Sequence, residues 1–119
     1  MSLDNSLVVI KTKKNKYLTV IKADDHFITN DGKISYNDIK KLPFTIKSSK
    51  GEDYFIYTPT YKEFVLLMRR GPQIIYPKDV GSIIVDGNIN NKSKVLEIGT
   101  GSGALTLFLI LMLGNQGKL

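Results

Sequence analysis

The stretch from Val95 to Leu113 constrains this chain more than any other. Val95-Leu96-Glu97-Ile98 reads as a short, mostly apolar strand. It runs into Gly99-Thr100-Gly101-Ser102-Gly103, and an apolar segment follows from Ala104 to Leu113, interrupted by Thr106. Strand, glycine-rich turn and helix in that order form the opening of a parallel βαβ unit. Glycine permits positive φ and lets a ligand approach where a Cβ would otherwise stand. Open α/β sheets bind their ligands at the carboxyl ends of strands, where this turn falls. The turn is therefore a candidate site for a nucleotide-like ligand.

The glycines alone leave the ligand class open. Their spacing is Gly99-x-Gly101-x-Gly103, and the residue three after Gly101 is Ala104. A dinucleotide fingerprint of the looser kind tolerates that arrangement. Glu97, two residues before Gly99, weighs against a pyrophosphate, because an acid so close would repel it.

The rest of the chain divides by pattern. Residues 1–58 read as a β-rich domain. Leu7–Ile10 and Tyr17–Ile21 flank a basic turn holding Lys11, Lys13, Lys14 and Lys16. His26–Thr29 and Lys33–Tyr36 flank Asn30-Asp31-Gly32, a turn signal. Phe44–Lys47 and Tyr54–Tyr57 flank a polar loop. Short strands with frequent turns predict a small barrel or sandwich. Residues 59–119 then read as a helical linker and the beginning of a Rossmann-like domain, so the fold class runs from α+β to α/β. Thr60 and Glu63 fit a capping box, and Arg69 and Arg70 fall in the last turn of that helix, before Gly71-Pro72. Pro77 suits the first position of a second helix, with Val80, Ile83 and Ile84 as its apolar face and Gly87-Asn88 as its end. Lys118-Leu119 looks like the first step into another strand.

Charge and composition narrow the partners. Residues 1–70 hold 13 Lys and Arg against 8 Asp and Glu, while residues 71–119 hold 4 against 3. A basic half favours a polyanion, nucleic acid first. The chain has no cysteine, which excludes disulfides and thiolate metal sites; no metal is expected. Ala104–Leu113 is about half of the roughly 20 residues a membrane span requires. No membrane partner is expected, and no signal peptide opens the chain, which fits a cytoplasmic location. His26, the sole histidine, reads as a strand surface residue.

Several stretches taken together resemble a known family. Pro59-Thr60-x-x-Glu63, Met68-Arg69-Arg70-Gly71 and Gln73-Ile74-Ile75-Tyr76-Pro77-Lys78-Asp79-Val80-Gly81 precede the run from Val95 to Thr106. This order is similar to the archaeal and bacterial tRNA (adenine-N1)-methyltransferases, amino-terminal part, and the likeness covers most of the chain. Glu97 before the glycines is typical of methyltransferases, and generic ones lack the Gln-Ile-Ile-Tyr-Pro-Lys-Asp stretch.

The resemblance implies an enzyme using S-adenosyl-L-methionine to methylate N1 of adenine in the tRNA T-loop. It implies Gln73, Ile75, Tyr76, Glu97, Gly99, Thr100, Gly101, Ser102 and Gly103 as cofactor-binding residues, with Ile75 in direct contact. It implies tRNA rather than DNA as partner and a homo-oligomer, a tetramer in the family. The acid that would hold the cofactor ribose comes about 20 residues after such a turn, and 16 residues follow Gly103 here. The aspartate that orients the adenine is likewise expected beyond Leu119. No catalytic residue is therefore expected within these residues, and the chain alone is expected to be inactive. A helix as apolar as Ala104–Leu113 is also expected to be poorly ordered or buried in a partner chain.

Two alternatives come from other classes. A protein L-isoaspartate-type methyltransferase shares the acid and glycine turn. A non-catalytic RNA-binding module would use the basic half alone.

Overall fold

The computed structural model describes residues 3–68 and 75–119, and the chain divides into two compact units, 1–67 and 68–119. In the first unit all six expected strands form: β1 (Leu7–Lys11), β2 (Lys16–Val20), β3 (His26–Thr29), β4 (Gly32–Ser35), β5 (Phe44–Lys47) and β6 (Asp53–Tyr57). One short helix follows, α1 (Tyr61–Leu67).

The strands build two sheets. One is antiparallel in the order β2-β1-β6-β5, and the other is the β3-β4 hairpin. Among the described residues no ladder joins β2 to β5, so the larger sheet does not close on itself. The β1–β6 pairing, with Val9 opposite Tyr57 and Lys11 opposite Phe55, is the long-range contact that makes it one sheet. β1 is buried on both faces, since Val8, Val9 and Ile10 are all fully enclosed. A strand covered on both sides reads as a continuous apolar run, and Leu7-Val8-Val9-Ile10 is such a run.

Val8, Ile10, Ile21, Ile34, Tyr36, Ile39, Tyr54 and Ile56 form the core, with Phe27, Phe44 and Ile46 packed against it. Tyr54 ties the two sheets together. Its ring is fully buried, its hydroxyl donates to the Gly32 carbonyl at 2.7 Å, and Thr29 Oγ1 lies 2.7 Å away. A buried phenol so satisfied avoids the desolvation cost of an unpaired hydroxyl. The β5–β6 loop closes over the hairpin: Ser48 Oγ donates to the Asp31 carbonyl at 2.6 Å, and Ser49 N donates to the Lys33 carbonyl at 2.9 Å.

That closure leaves no room at Gly32. Its φ is +116°, and a Cβ there would lie 2.5 Å from Ser48 Oγ and 2.9 Å from Lys50 N. Gly32→Ala is expected to destabilise the first unit by about 2 kcal/mol or more, from steric overlap and a strained φ together. Urea denaturation of the full chain measures this, and an unchanged midpoint would contradict it.

α1 is fixed to β2 and β6 by one carboxyl. The capping box forms as expected, with Glu63 N donating to Thr60 Oγ1 at 3.1 Å and Thr60 N donating to Glu63 Oε1 at 3.2 Å. The other oxygen, Oε2, accepts from Tyr57 Oη at 2.5 Å and from Lys16 Nζ at 3.0 Å. The Tyr57 hydrogen bond is the main cause holding the Glu63 carboxyl down at about 2; burial opposes it, and the bonds from Thr60 and Lys16 assist. Burial, and then the bond to Glu63, pushes the Tyr57 hydroxyl up.

The folded value of Glu63 lies below its unfolded value near 4.5. Its contribution is therefore full above that pH and is lost as pH falls towards about 2. Stability measured across this range should drop for the wild type, and Glu63→Gln should flatten this part of the profile. Parallel profiles for the two proteins would rule the clamp out.

In the second unit, α2 (Pro77–Asp86) and α3 (Ala104–Leu113) pack against each other. Pro77 opens α2 as expected, and the Tyr76 carbonyl accepts from Asp79 N and Val80 N. Of the apolar face expected for α2, Val80 is buried, while Ile83 remains 38% exposed. The helix ends differently from the usual glycine pattern: Gly87 stays right-handed, and Asn88 takes the left-handed conformation at φ +52°. Asparagine tolerates that region better than most residues.

One expectation for this unit is corrected. Among the described residues Val95–Ile98 forms no ladder; beside it stands a parallel bridge between Lys94 and Lys118, with Val95 N donating to the Lys118 carbonyl at 2.7 Å. Strand character needs a neighbour along its length, and Leu96 and Ile98 instead face solvent. The α3 segment forms its ten-residue helix without cover all round. It buries Ala104, Leu109 and Leu113 and leaves Ile110, Leu111 and Met112 exposed.

Candidate functional site

The site is the bend between the extended segment and α3. Gly99, Gly101 and Gly103 all have positive φ, at +76°, +59° and +86°. A side chain at such a position costs roughly 1–2 kcal/mol, so three alternating left-handed residues require glycine. The bend is closed by Gly103 N donating to the Thr100 carbonyl at 3.1 Å, and Gly103 then caps α3 by receiving Leu107 N at 2.9 Å. A Cβ built at Gly99 or Gly103 meets no atom within 4 Å. Conformation explains the glycines here, and the space beside them is open to a ligand.

A cavity of about 120 Å³ lies against this bend, lined by Ile75, Glu97, Ile98, Gly99, Thr100, Gly101, Ser102, Ala104 and Leu105. Ile75 thus joins the glycine turn across 22 residues of sequence before Glu97. Whole small-molecule sites run from about 300 Å³ upwards, so this cavity has room for one end of a nucleoside cofactor. Tyr76 contributes its carbonyl to the start of α2 and is not one of the lining residues. Gln73, Ile74, Arg69 and Arg70, with Gly71 and Pro72, lie outside the described residues.

Glu97 is held from below. Its neighbours alternate, with Val95 and Glu97 half-buried while Leu96 and Ile98 are exposed. The alternation turns the Glu97 carboxyl towards α3, where the Thr106 hydroxyl donates to its Oε1. Sequence reasoning assigned Thr106 no role. The available signal was that Thr106 is the one hydroxyl in an otherwise apolar helix, standing in the first turn where a side chain can reach back to the preceding strand. Among the described residues no cluster of His, Cys, Asp and Glu could hold a metal, and no helix is long and apolar enough to cross a membrane.

Comparison with known proteins agrees with this geometry. No protein-family model matches the chain. The tRNA (adenine(57)-N(1)/adenine(58)-N(1))-methyltransferase TrmI of Methanocaldococcus jannaschii is 33% identical over 111 residues, which are 93% of this chain and 39% of that protein. A solved SAM-dependent O-methyltransferase from Thermotoga maritima superposes with a TM-score of 0.91 at 26% identity, over 99% of this chain and 45% of the other. The tRNA (m1A58) methyltransferase TrmI of Aquifex aeolicus superposes at 0.81 with 31% identity, over 95% and 45%. The fold and the glycine turn are those of S-adenosylmethionine-dependent methyltransferases, mixed α/β. Within that class the chain is a relative of the tRNA (adenine-N1)-methyltransferases, and it spans less than half the length of the relatives it matches.

Removing the Thr106 hydroxyl leaves the Glu97 carboxyl without its donor. Thr106→Val is expected to cost about 1 kcal/mol of stability, and Thr106→Ser to restore most of it. Equal denaturation midpoints for the two variants would show that the hydroxyl has no such role.

Proposed function

We propose that this chain carries the cofactor-cradling part of an S-adenosyl-L-methionine-dependent enzyme that methylates N1 of adenine in the tRNA T-loop. The observation that carries this reading is the meeting of Ile75, Glu97 and the turn residues Gly99 to Ser102 around one cavity. When bound, the cofactor supplies a sulfonium-activated methyl group. The chain's own residues bind and orient it. The glycines bring the backbone close, Ile75 offers an apolar wall, and Glu97 sets a carboxyl beside the bend where the positively charged methionine end is favoured and a pyrophosphate is not. Gln73, Tyr76, Thr100 and Ser102 complete the proposed binding set. Positioning of this kind is the protein's main contribution to an in-line displacement.

The same reading assigns residues 1–58 to a small basic domain of two packed β layers, sandwich-like, and residues 59–119 to the start of a Rossmann-like domain. It places the protein in the cytoplasm, with tRNA as partner. It also makes the protein a homo-oligomer, a tetramer as in the family; the exposed Ile110, Leu111 and Met112 support burial against further protein.

The Thermotoga neighbour's description as an O-methyltransferase favours a second reading, in which the acceptor is an oxygen, as in an L-isoaspartate-type enzyme. Both readings share the cofactor site and differ in the acceptor.

Titration calorimetry of the chain with S-adenosylhomocysteine should give saturable binding, with NAD giving none. Gly101→Val should abolish that binding, and Glu97→Gln should weaken it by about tenfold, or 1.4 kcal/mol. Absence of saturable binding by the wild type would overturn the cofactor assignment. Gel-shift assays with tRNA then separate the acceptors, since the oxygen-acceptor reading requires no affinity for tRNA.

A further inference from the structure

The outer face of the four-stranded sheet carries a row of side chains that the cofactor site does not use. Cα pairing aligns Lys16 of β2 with Lys11 of β1, Lys11 with Phe55 of β6, and Phe55 with Thr45 of β5. Directly opposed residues share a face, so Lys16, Lys11, Phe55 and Thr45 form one stripe across all four strands. At about 4.8 Å per strand it extends roughly 14 Å. Every member is exposed, Phe55 at 42%. The next row on the same face, Leu18, Val9 and Tyr57, is the better covered one, and Val9 is fully buried.

An exposed phenylalanine inside a sheet needs a reason, because burial of its ring would be favourable. Here the ring is held rather than loose. It lies 5.2 Å from the Tyr57 ring at an interplanar angle of 34°, and Tyr57 is itself anchored by Glu63. Beside it is a cavity of about 330 Å³ lined by Lys11, Thr12, Lys13, Glu52, Asp53 and Phe55. The turn supplying Lys13 and Lys14 is closed by two hydrogen bonds, Thr12 Oγ1 accepting from Asn15 N at 3.1 Å and Thr12 N donating to the Asn15 carbonyl at 2.8 Å.

The charges are unequal. Asp53 is paired with Lys47 at 2.8 Å and Glu63 with Lys16 at 3.0 Å. Lys11, Lys13 and Lys14 then stand against Glu52, so the patch keeps a positive excess beside an aromatic face. Cations along a groove with a fixed aromatic ring in it match single-stranded nucleic acid. The lysines follow the phosphates, and a base stacks on the ring.

We propose that this face binds an unpaired segment of RNA, with one base stacked on Phe55 and the backbone running along Lys11, Lys13 and Lys14. The RNA class rests on the tRNA reading above; the stacking site rests on the stripe. Double-stranded RNA would contact the lysines but could not offer a base to the ring.

The chain has no tryptophan, so Phe55→Trp places a single fluorescent reporter in the stripe. A short oligouridylate should quench that fluorescence on binding, whereas heparin, a polyanion without bases, should bind without quenching it. Phe55→Ala should weaken oligouridylate binding by about tenfold and leave its salt dependence unchanged. Lys13→Ala should instead reduce the log–log salt slope by about 0.7. Binding without quenching, unaltered affinity in Phe55→Ala, or tighter binding of a matched RNA duplex would each overturn the proposal. Failure of the wild type to bind any RNA would overturn it too, while S-adenosylhomocysteine titration reports independently on the cofactor reading.

Discussion

The bend from Gly99 to Gly103 is the constraint on which the second unit depends. Three alternating residues in the left-handed region reverse the chain within five positions and launch α3 directly from Gly103. The reversal brings the first turn of α3 back beside the segment that led into it, and Thr106 can then reach Glu97. A Cβ at Gly99 or Gly103 would meet open space and still be strained, because the cost lies in φ and not in crowding. The bend is thus paid for in conformational freedom, and what it yields is a backbone surface bare of side chains, next to one fixed carboxyl and one apolar wall.

The first unit is organised around the opposite device, a polar side chain that joins surfaces. Tyr54 links the hairpin to the larger sheet through Thr29 and Gly32, and Glu63 links α1 to β2 and β6 through Lys16 and Tyr57. In each case one side chain satisfies several partners at once. Such a group is strong because its partners are fixed by separate elements, and vulnerable because no other group replaces it. Lys16 belongs to this framework. It stands in the basic turn with Lys11, Lys13 and Lys14, yet its ammonium is committed to Glu63.

Much of the fold was legible from local pattern. All six strands and the Thr60–Glu63 capping box follow from short alternating runs, turn residues and a three-residue spacing. What stayed hidden was long-range. Nothing local in Leu7–Lys11 or Asp53–Tyr57 specifies that they pair, because antiparallel partners far apart in sequence are chosen by the shared core rather than by a turn. Val95–Ile98 had strand composition and lacked the neighbours that make a ladder. The glycine turn and Glu97 were legible as a site because their chemistry is written in consecutive residues. Thr106 was not, since a hydroxyl in an apolar helix becomes informative only once the bend sets it beside the acid.

The same distinction explains how the two units present surfaces to ligands. In the second unit, approach is made possible by taking side chains away, so glycine spacing alone marks the place. In the first, approach depends on side chains that four strands bring into one row, and Phe55 and Thr45 are too far in sequence from Lys11 and Lys16 to form a motif with them. Register creates that row: a slip of one residue at β6 would turn Phe55 into the core and bring Tyr54 or Ile56 out. The buried hydroxyl of Tyr54 prevents the slip, because its bonds to Thr29 and Gly32 exist in one register only. The core contact that joins the sheets therefore also keeps the phenylalanine on the outside.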